Sequence, residues 1–220
     1  TFAGLGKTGL VGSKTLTFSS TGLTSATQTF DLVNGAATQL VVTQATGSQS
    51  LTYYPSGPQL NVSSATLSSG GWTQCFSGSY GTTSDTFASI NAACTGSYLM
   101  LAAKQDGATN WQLVAAAPRA DVFYDTTTDS TTTHIANGTG WYYSLSKSWG
   151  FAKAGDAVNK FSCDYNPSVN IDLRLCWHTS ATGLNSGYRV GANIGLGSGW
   201  TRAIFMANPG ASANITNDQV

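Results

Sequence analysis

The sequence predicts an all-β, sandwich-like fold, and three observations lead there. First, only 9% of the residues are charged, and all ten acids are Asp with no Glu, against about 25% charged residues in ordinary soluble domains. Glu favours helices and Asp favours turns, so this bias disfavours long helices. Second, the chain is a succession of short apolar or alternating segments separated by Gly, Ser, Thr and Asn, the pattern of many short strands joined by turns. Third, the four cysteines at 75, 94, 163 and 176 form no CxxC pair and no Cys/His zinc spacing. They read as two disulfides that staple a β domain in an oxidising compartment, the alternative being four buried free thiols.

The elements follow in order. At the start, "TFAGLGKTGL" resembles a phosphate-cradling loop in lettering only. No strand precedes it, no helical period follows it, and Thr1 stands where the full motif needs a glycine. With Phe2, Leu5, Leu10 and Val11 among small residues, residues 1 to about 12 read instead as an extended segment able to lie against an open sheet edge. Strands are expected at "KTLTFSS", "TQTFDLV", "TQLVVTQ", "SLTYY" and "QLNVSS", which together make an N-terminal β module over residues 1–69. Such a module is marginal by itself and must lean on the rest of the chain or on another subunit.

From "GGWTQCF" onward the composition changes, since all six Trp and all four Cys lie beyond residue 70. Residues 70–207 are expected to form a larger disulfide-bonded β domain with at most one or two short helices. One helix is expected at "SDTFASINAAC", capped by Ser84, with Phe87, Ile90 and Cys94 on one face. "SYLMLAAKQ" and "NWQLVAAAPRADVFYD" flank a "DGAT" hairpin turn. Further strands are expected at "GWYYSLS", "SWGFA", "LRLCWHT", "YRVGA" and "TRAIFMA", with a polar tail over 208–220. Of the three cysteine connectivities, the sequential one is expected, Cys75 with Cys94 and Cys163 with Cys176, because each closes a short loop.

Residues 70–207 resemble a disulfide-containing domain of large secreted and cell-surface proteins of bacteria and some protists. The resemblance is carried by "GWTQCF", "YLMLAA", "APRADVFYDT", "ANGTGWYYS", "SWGFA" followed by "GD", "DLRLCWHT" and "RAIFMA". It implies a location rather than an activity. Relatives of this kind often carry two more cysteines, at positions matching Ala103 and Val190, which would fit their forming one further bridge.

Chemistry-bearing residues are sparse. The net charge is zero with scattered Lys and Arg, so no basic stripe points to nucleic acid, and apolar runs such as "YLMLAA" are far too short to span a bilayer. Only two histidines occur. His178 in "CWHTS" reads as a strand residue with a satisfied imidazole, and His134 as part of an exposed Thr-rich loop. No GxSxG elbow is present. Asp121, Asp125 and Asp129 are a candidate calcium set without the Gly and the terminal Glu of an EF-hand loop. Tyr53/Tyr54 and Trp141/Tyr142/Tyr143 are candidates for stacking on sugar rings, with core packing the simpler account of most of them. Asn61, Asn137 and Asn214 begin Asn-x-Ser/Thr sequons, no more than this composition gives by chance.

The expectation is therefore a non-catalytic extracellular structural protein, the repeating subunit of a surface filament. It would polymerise head to tail with copies of itself and carry no cofactor. A glycan-binding adhesin module is the second reading and a secreted hydrolase the third.

Overall fold

The computed structural model describes residues 12–19, 21–32, 50–126, 131–165 and 167–209. Contacts divide the chain into two units, Thr1–Gln44 and Ala45–Val220. The described part of the first is one antiparallel hairpin, β1 (Gly12–Phe18) and β2 (Ala26–Leu32), with Thr15 opposite Thr29. The period of two sorts its side chains. Ser13, Thr15 and Thr17 share one face with Asp31, Thr29 and Thr27, while Lys14, Leu16 and Phe18 share the other with Phe30, Gln28 and Ala26. None of the residues described in this hairpin is buried.

The second unit is a sandwich of two five-stranded antiparallel sheets, as the composition predicts. One sheet has the order β3-β6-β5-β12-β4, from Gln59–Ser63, Asn110–Pro118, Tyr98–Gln105, Trp200–Ala207 and Thr73–Ser79. The other has the order β11-β10-β9-β8-β7, from Leu184–Val190, Leu175–Thr179, Ser148–Lys153, Thr139–Ser144 and His134–Ala136. Leu99, Leu101, Leu113 and Ile204 of the first sheet share one core with Trp141, Trp149, Phe151 and Trp177 of the second, the face-to-face packing of a β-sandwich.

Both outer faces are covered as well. Leu51, Tyr54, Leu67 and Trp72 join Met100, Ala102, Ala116 and Phe205 in a second cluster on the back of the first sheet. Val158 and Cys163 join Tyr142, Ala152 and Cys176 on the back of the second. Strands covered on two sides cannot keep a polar face, so "YLMLAA" is a continuous apolar run rather than an alternating one.

Several expectations change in detail. Residues 51–69 belong to the sandwich and not to an N-terminal module: β3 pairs with β6, and Leu51 and Leu67 are core residues. The division lies between Gln44 and Ala45 rather than near residue 69. "SLTYY" is not a strand, because the amides of Thr52 and Tyr53 donate to the Gly70 carbonyl. Among the described residues there are three short α-helices where at most two were expected: α1 (Ser64–Ser69), α2 (Phe87–Ala93) and α3 (Arg119–Val122). Helix α1 hides in a Ser/Thr run of poor helix formers and starts because the Ser63 hydroxyl accepts from the Thr66 amide. Helix α2 is capped by Thr86 and not Ser84, through the Ser89 amide, and it buries Phe87 and Ile90 as expected. Helix α3 turns the chain out of β6 just after Pro118, where the sequence reading carried the strand onward. The "TQLVVTQ" segment and the tail beyond residue 209 lie outside the described residues.

Candidate functional site

The cysteines pair as expected. Cys75 of β4 bonds to Cys94 at the end of α2, and Cys163 bonds to Cys176 of β10, with Cα–Cα separations of 5.2 and 5.6 Å. No free cysteine remains, which fits an oxidising compartment. No helix among the described residues is long and apolar enough to cross a membrane.

The second disulfide pins a loop, residues 154–173, across the back of the second sheet, and buried charge pins it again. Arg174 is fully buried. Its Nη1 donates to Asp164 Oδ2 at 2.7 Å and its Nη2 to Asp156 Oδ2 at 3.0 Å, while Nε and Nη1 also reach the carbonyls of Val169 and Ala157. Arg189 of β11 donates from Nε and Nη2 to the Gly191 carbonyl and from Nη1 to that of Asp164. Burial pulls the Arg189 pKa down, and the Asp164 charge offsets part of that. Cys163 and Asp164 are both left-handed, with φ of 53° and 57°, a conformation that non-glycine residues hold only when their surroundings enforce it.

The sharp bend sends the residues on either side of the disulfide outward: Phe161 is 53% exposed and Tyr165 48%. A line of contacts joins them. The Tyr165 and Tyr188 rings are 6.3 Å apart at 57°, and Tyr188 and His178 are 5.1 Å apart at 52°. His178 Nδ1 is 3.4 Å from the Lys147 carbonyl, and Lys147 Nζ sits 4.8 Å over the Phe161 ring. Sequence reasoning missed Phe161 and Tyr165. The available signal was "FSCDY", two aromatics flanking a cysteine within an otherwise polar turn. His178 lies in a strand, as the sequence predicts, and is half-buried.

His134 differs from expectation. It lies in β7, its Nε2 is 2.7 Å from Asp121 Oδ1, and its ring stacks on Tyr124 at 4.1 Å and 9°. A His–Asp pair supplies two members of a hydrolytic triad. Among the described residues no serine is hydrogen-bonded to His134, and every cysteine is oxidised. Asp121 is engaged by this imidazole, Asp125 bridges to Tyr143 in the backbone, and Asp129 lies outside the described residues. Among the described residues no group of three or more His, Cys, Asp or Glu is placed to hold a metal ion.

The remaining candidates separate as follows. Tyr54, Trp141 and Tyr142 are buried, while Tyr53 and Tyr143 are half-buried and pack against the clusters, so the aromatics favoured for sugar stacking are core residues. Asn137 has a structural role. At φ 46° with Gly138 at 66° it forms the two-residue turn between β7 and β8, and its Nδ2 donates to the carbonyls of Pro55 and Ala116 at 2.9 and 3.0 Å. Asn61 is exposed, accepts from Asn110 Nδ2 at 3.0 Å, and borders an open hollow of about 460 Å³ with Leu60 and Gln112. Phe2, Leu5, Leu10, Val11 and Asn214 lie outside the described residues. Ala103 and Val190 are both fully buried in the core between the sheets. No protein-family model, no curated protein and no solved structure matches this chain.

Proposed function

We propose that this chain is a non-catalytic extracellular structural protein, the repeating subunit of a cell-surface filament built by strand exchange. The observation that carries the reading is the β1–β2 hairpin. It presents Leu16, Phe18, Phe30 and Ala26 on one face, and none of them is buried. A lone two-stranded sheet is at best marginally stable in water, and a third strand or a packed neighbour makes it viable. In the proposed assembly residues 1 to about 12 of one subunit, with Phe2, Leu5, Leu10 and Val11, add a strand to the hairpin unit of the next. A head-to-tail contact that does not close into a ring propagates as a fibre. Two disulfides and a surface poor in charge accord with life outside the cytosol.

Electron microscopy of purified protein tests this directly. Filaments are expected from the intact chain, and deletion of Thr1–Gly12 should give disulfide-bonded protein that no longer polymerises. Intact protein that stays monodisperse at high concentration refutes the filament, and a deletion variant that forms filaments of normal length refutes the donor strand.

A further inference from the structure

We propose that the ledge formed by Phe161, Lys147, His178, Tyr188 and Tyr165 binds the pyranose rings of a neutral polysaccharide. The inference is independent of whether the chain polymerises, since all five residues lie in the sandwich unit.

Exposure is the starting point. Single exposed apolar residues are ordinary, but exposed apolar groups that lie together mark contact sites, and loops fixed on a rigid scaffold are where such sites concentrate. Here the two most exposed rings of the loop sit two residues before and two after Cys163, held by a disulfide, by two left-handed residues and by the buried Arg174–Asp164 pair. A platform fixed before binding loses little conformational entropy when a ligand arrives. That matters most for a weakly held, hydrated ligand such as a sugar.

Shape and chemistry select the ligand class. A pyranose offers a face of C–H groups and a rim of hydroxyls. The ledge offers rings with apolar faces, inclined at 57° and 52° to their neighbours, and polar atoms at the edges of the same rings: two phenol hydroxyls and an imidazole. Several rings joined in a line suit a chain of sugars better than a single one. Charge argues for a neutral chain. Asp156 and Asp164 are both taken up by Arg174, and the one ammonium on the ledge, Lys147, is seated on the Phe161 ring. One ammonium is not the basic cluster that holds an acidic glycan chain. Val169 and Ile171, also exposed on this loop, make a second copy of the chain the competing occupant.

Affinity electrophoresis of the intact protein through gels containing hydroxyethyl cellulose, glucomannan or dextran, with hyaluronan as the acidic comparison, decides the matter. Retardation is expected in at least one neutral gel. Phe161→Ala and Tyr165→Ala, both at exposed positions, should each weaken it about tenfold, with unchanged melting. Tyr124→Ala, which removes a ring 51% exposed outside the ledge, should leave it intact. The proposal fails if no neutral gel retards the protein or if both ledge variants are retarded like wild type. It fails equally if retardation occurs only in hyaluronan and vanishes with salt, or if the variants alter sedimentation and not retardation, which would assign the ledge to a subunit contact.

Discussion

Two antiparallel hairpins of similar length differ in what covers their faces. In β1–β2 one face carries Ser, Thr and Asp side chains and the other mixes Leu16, Phe18, Phe30 and Ala26 with Lys14 and Gln28, and none of these is buried. In β8–β9, Trp141, Trp149 and Phe151 fill the core between the sheets, while Tyr142 and Ala152 on the opposite side are sealed by the pinned loop. Backbone pairing is equivalent in the two, so the difference lies in packing. Burial of apolar area is the main stabilising term in a domain, and the sandwich has it on both faces of its strands. The sandwich is therefore expected to stand without help, and the first hairpin to gain its order from a partner.

The strongest test of that contrast removes a charge from the sandwich. Asp164→Ala takes from buried Arg174 one of its two carboxylate partners, leaving Asp156, and removes the charge beside Arg189, which keeps its bond to the main-chain carbonyl of residue 164; breaking a buried ion pair typically costs about 3–5 kcal/mol. Urea denaturation followed by tryptophan fluorescence reports the sandwich alone, because every Trp lies in it. A midpoint equal to wild type would show that the pair does not hold the loop. Next in size is the first disulfide. Cys75→Ser with Cys94→Ser opens a loop with sequence separation 19, for which chain entropy gives about 3 kcal/mol. A loss under about 1 kcal/mol would mean that α2 is held by the burial of Phe87 and Ile90 instead.

How much of this was legible beforehand depends on how local the cause is. Both disulfides could be read because short loops favour their own closure, and the β5–β6 hairpin because "DGAT" is turn chemistry between two apolar runs. Strand β3 could be read in "QLNVSS", but the place of residues 51–69 in the sandwich could not. Their polar, Ser-rich lettering hides Leu51 and Leu67, two buried anchors whose meaning depends on the distant Met100 and Phe205. The aromatics show the same limit from the other side. Trp141 and Tyr142 alternate across a strand, and only the covering loop determines that the outward one is also buried. Phe161 and Tyr165 point to solvent because of a bend enforced by arginines that follow them in the chain. His134 meets Asp121 across a gap of 13 residues, which no spacing rule anticipates.

Alkaline pH gives a smaller and selective perturbation. All nine tyrosines lie in the sandwich unit and none in the hairpin. Burial raises the phenol pKa of Tyr80 and Tyr142 far above its usual value near 10, in Tyr80 against the lowering effect of the Trp177 hydrogen bond. With the folded pKa raised, the folded state holds protons that the unfolded chain releases. Stability is thus fully present below about pH 10 and falls above it, by up to about 1.4 kcal/mol per pH unit for each such group. Phenolate absorbance should show Tyr80 and Tyr142 ionising only together with loss of the tryptophan signal. Smooth titration of all nine phenols with the fold intact would contradict the packing described for these two rings.

The smallest expected effect on the sandwich is the most informative about the hairpin. Leu16→Ser with Phe30→Ser removes two apolar side chains from a face on which both are only partly covered. Substitutions of this kind change the stability of an isolated chain by no more than about 0.5 kcal/mol, and the sandwich core includes neither residue. The tryptophan-monitored melting curve should therefore superimpose on that of the wild type. Assembly should respond very differently. If that face is where a neighbouring subunit packs, the two serines replace apolar contact with hydroxyl groups along the whole seam, and the critical concentration for filament formation should rise at least tenfold. Hydrogen exchange of the β1–β2 amides reads the same point on the wild type. They should exchange quickly at low concentration, where two strands alone give little protection, and slowly once polymer forms. Fast exchange in both states would mean that the hairpin takes no part in the contact, whatever holds the subunits together.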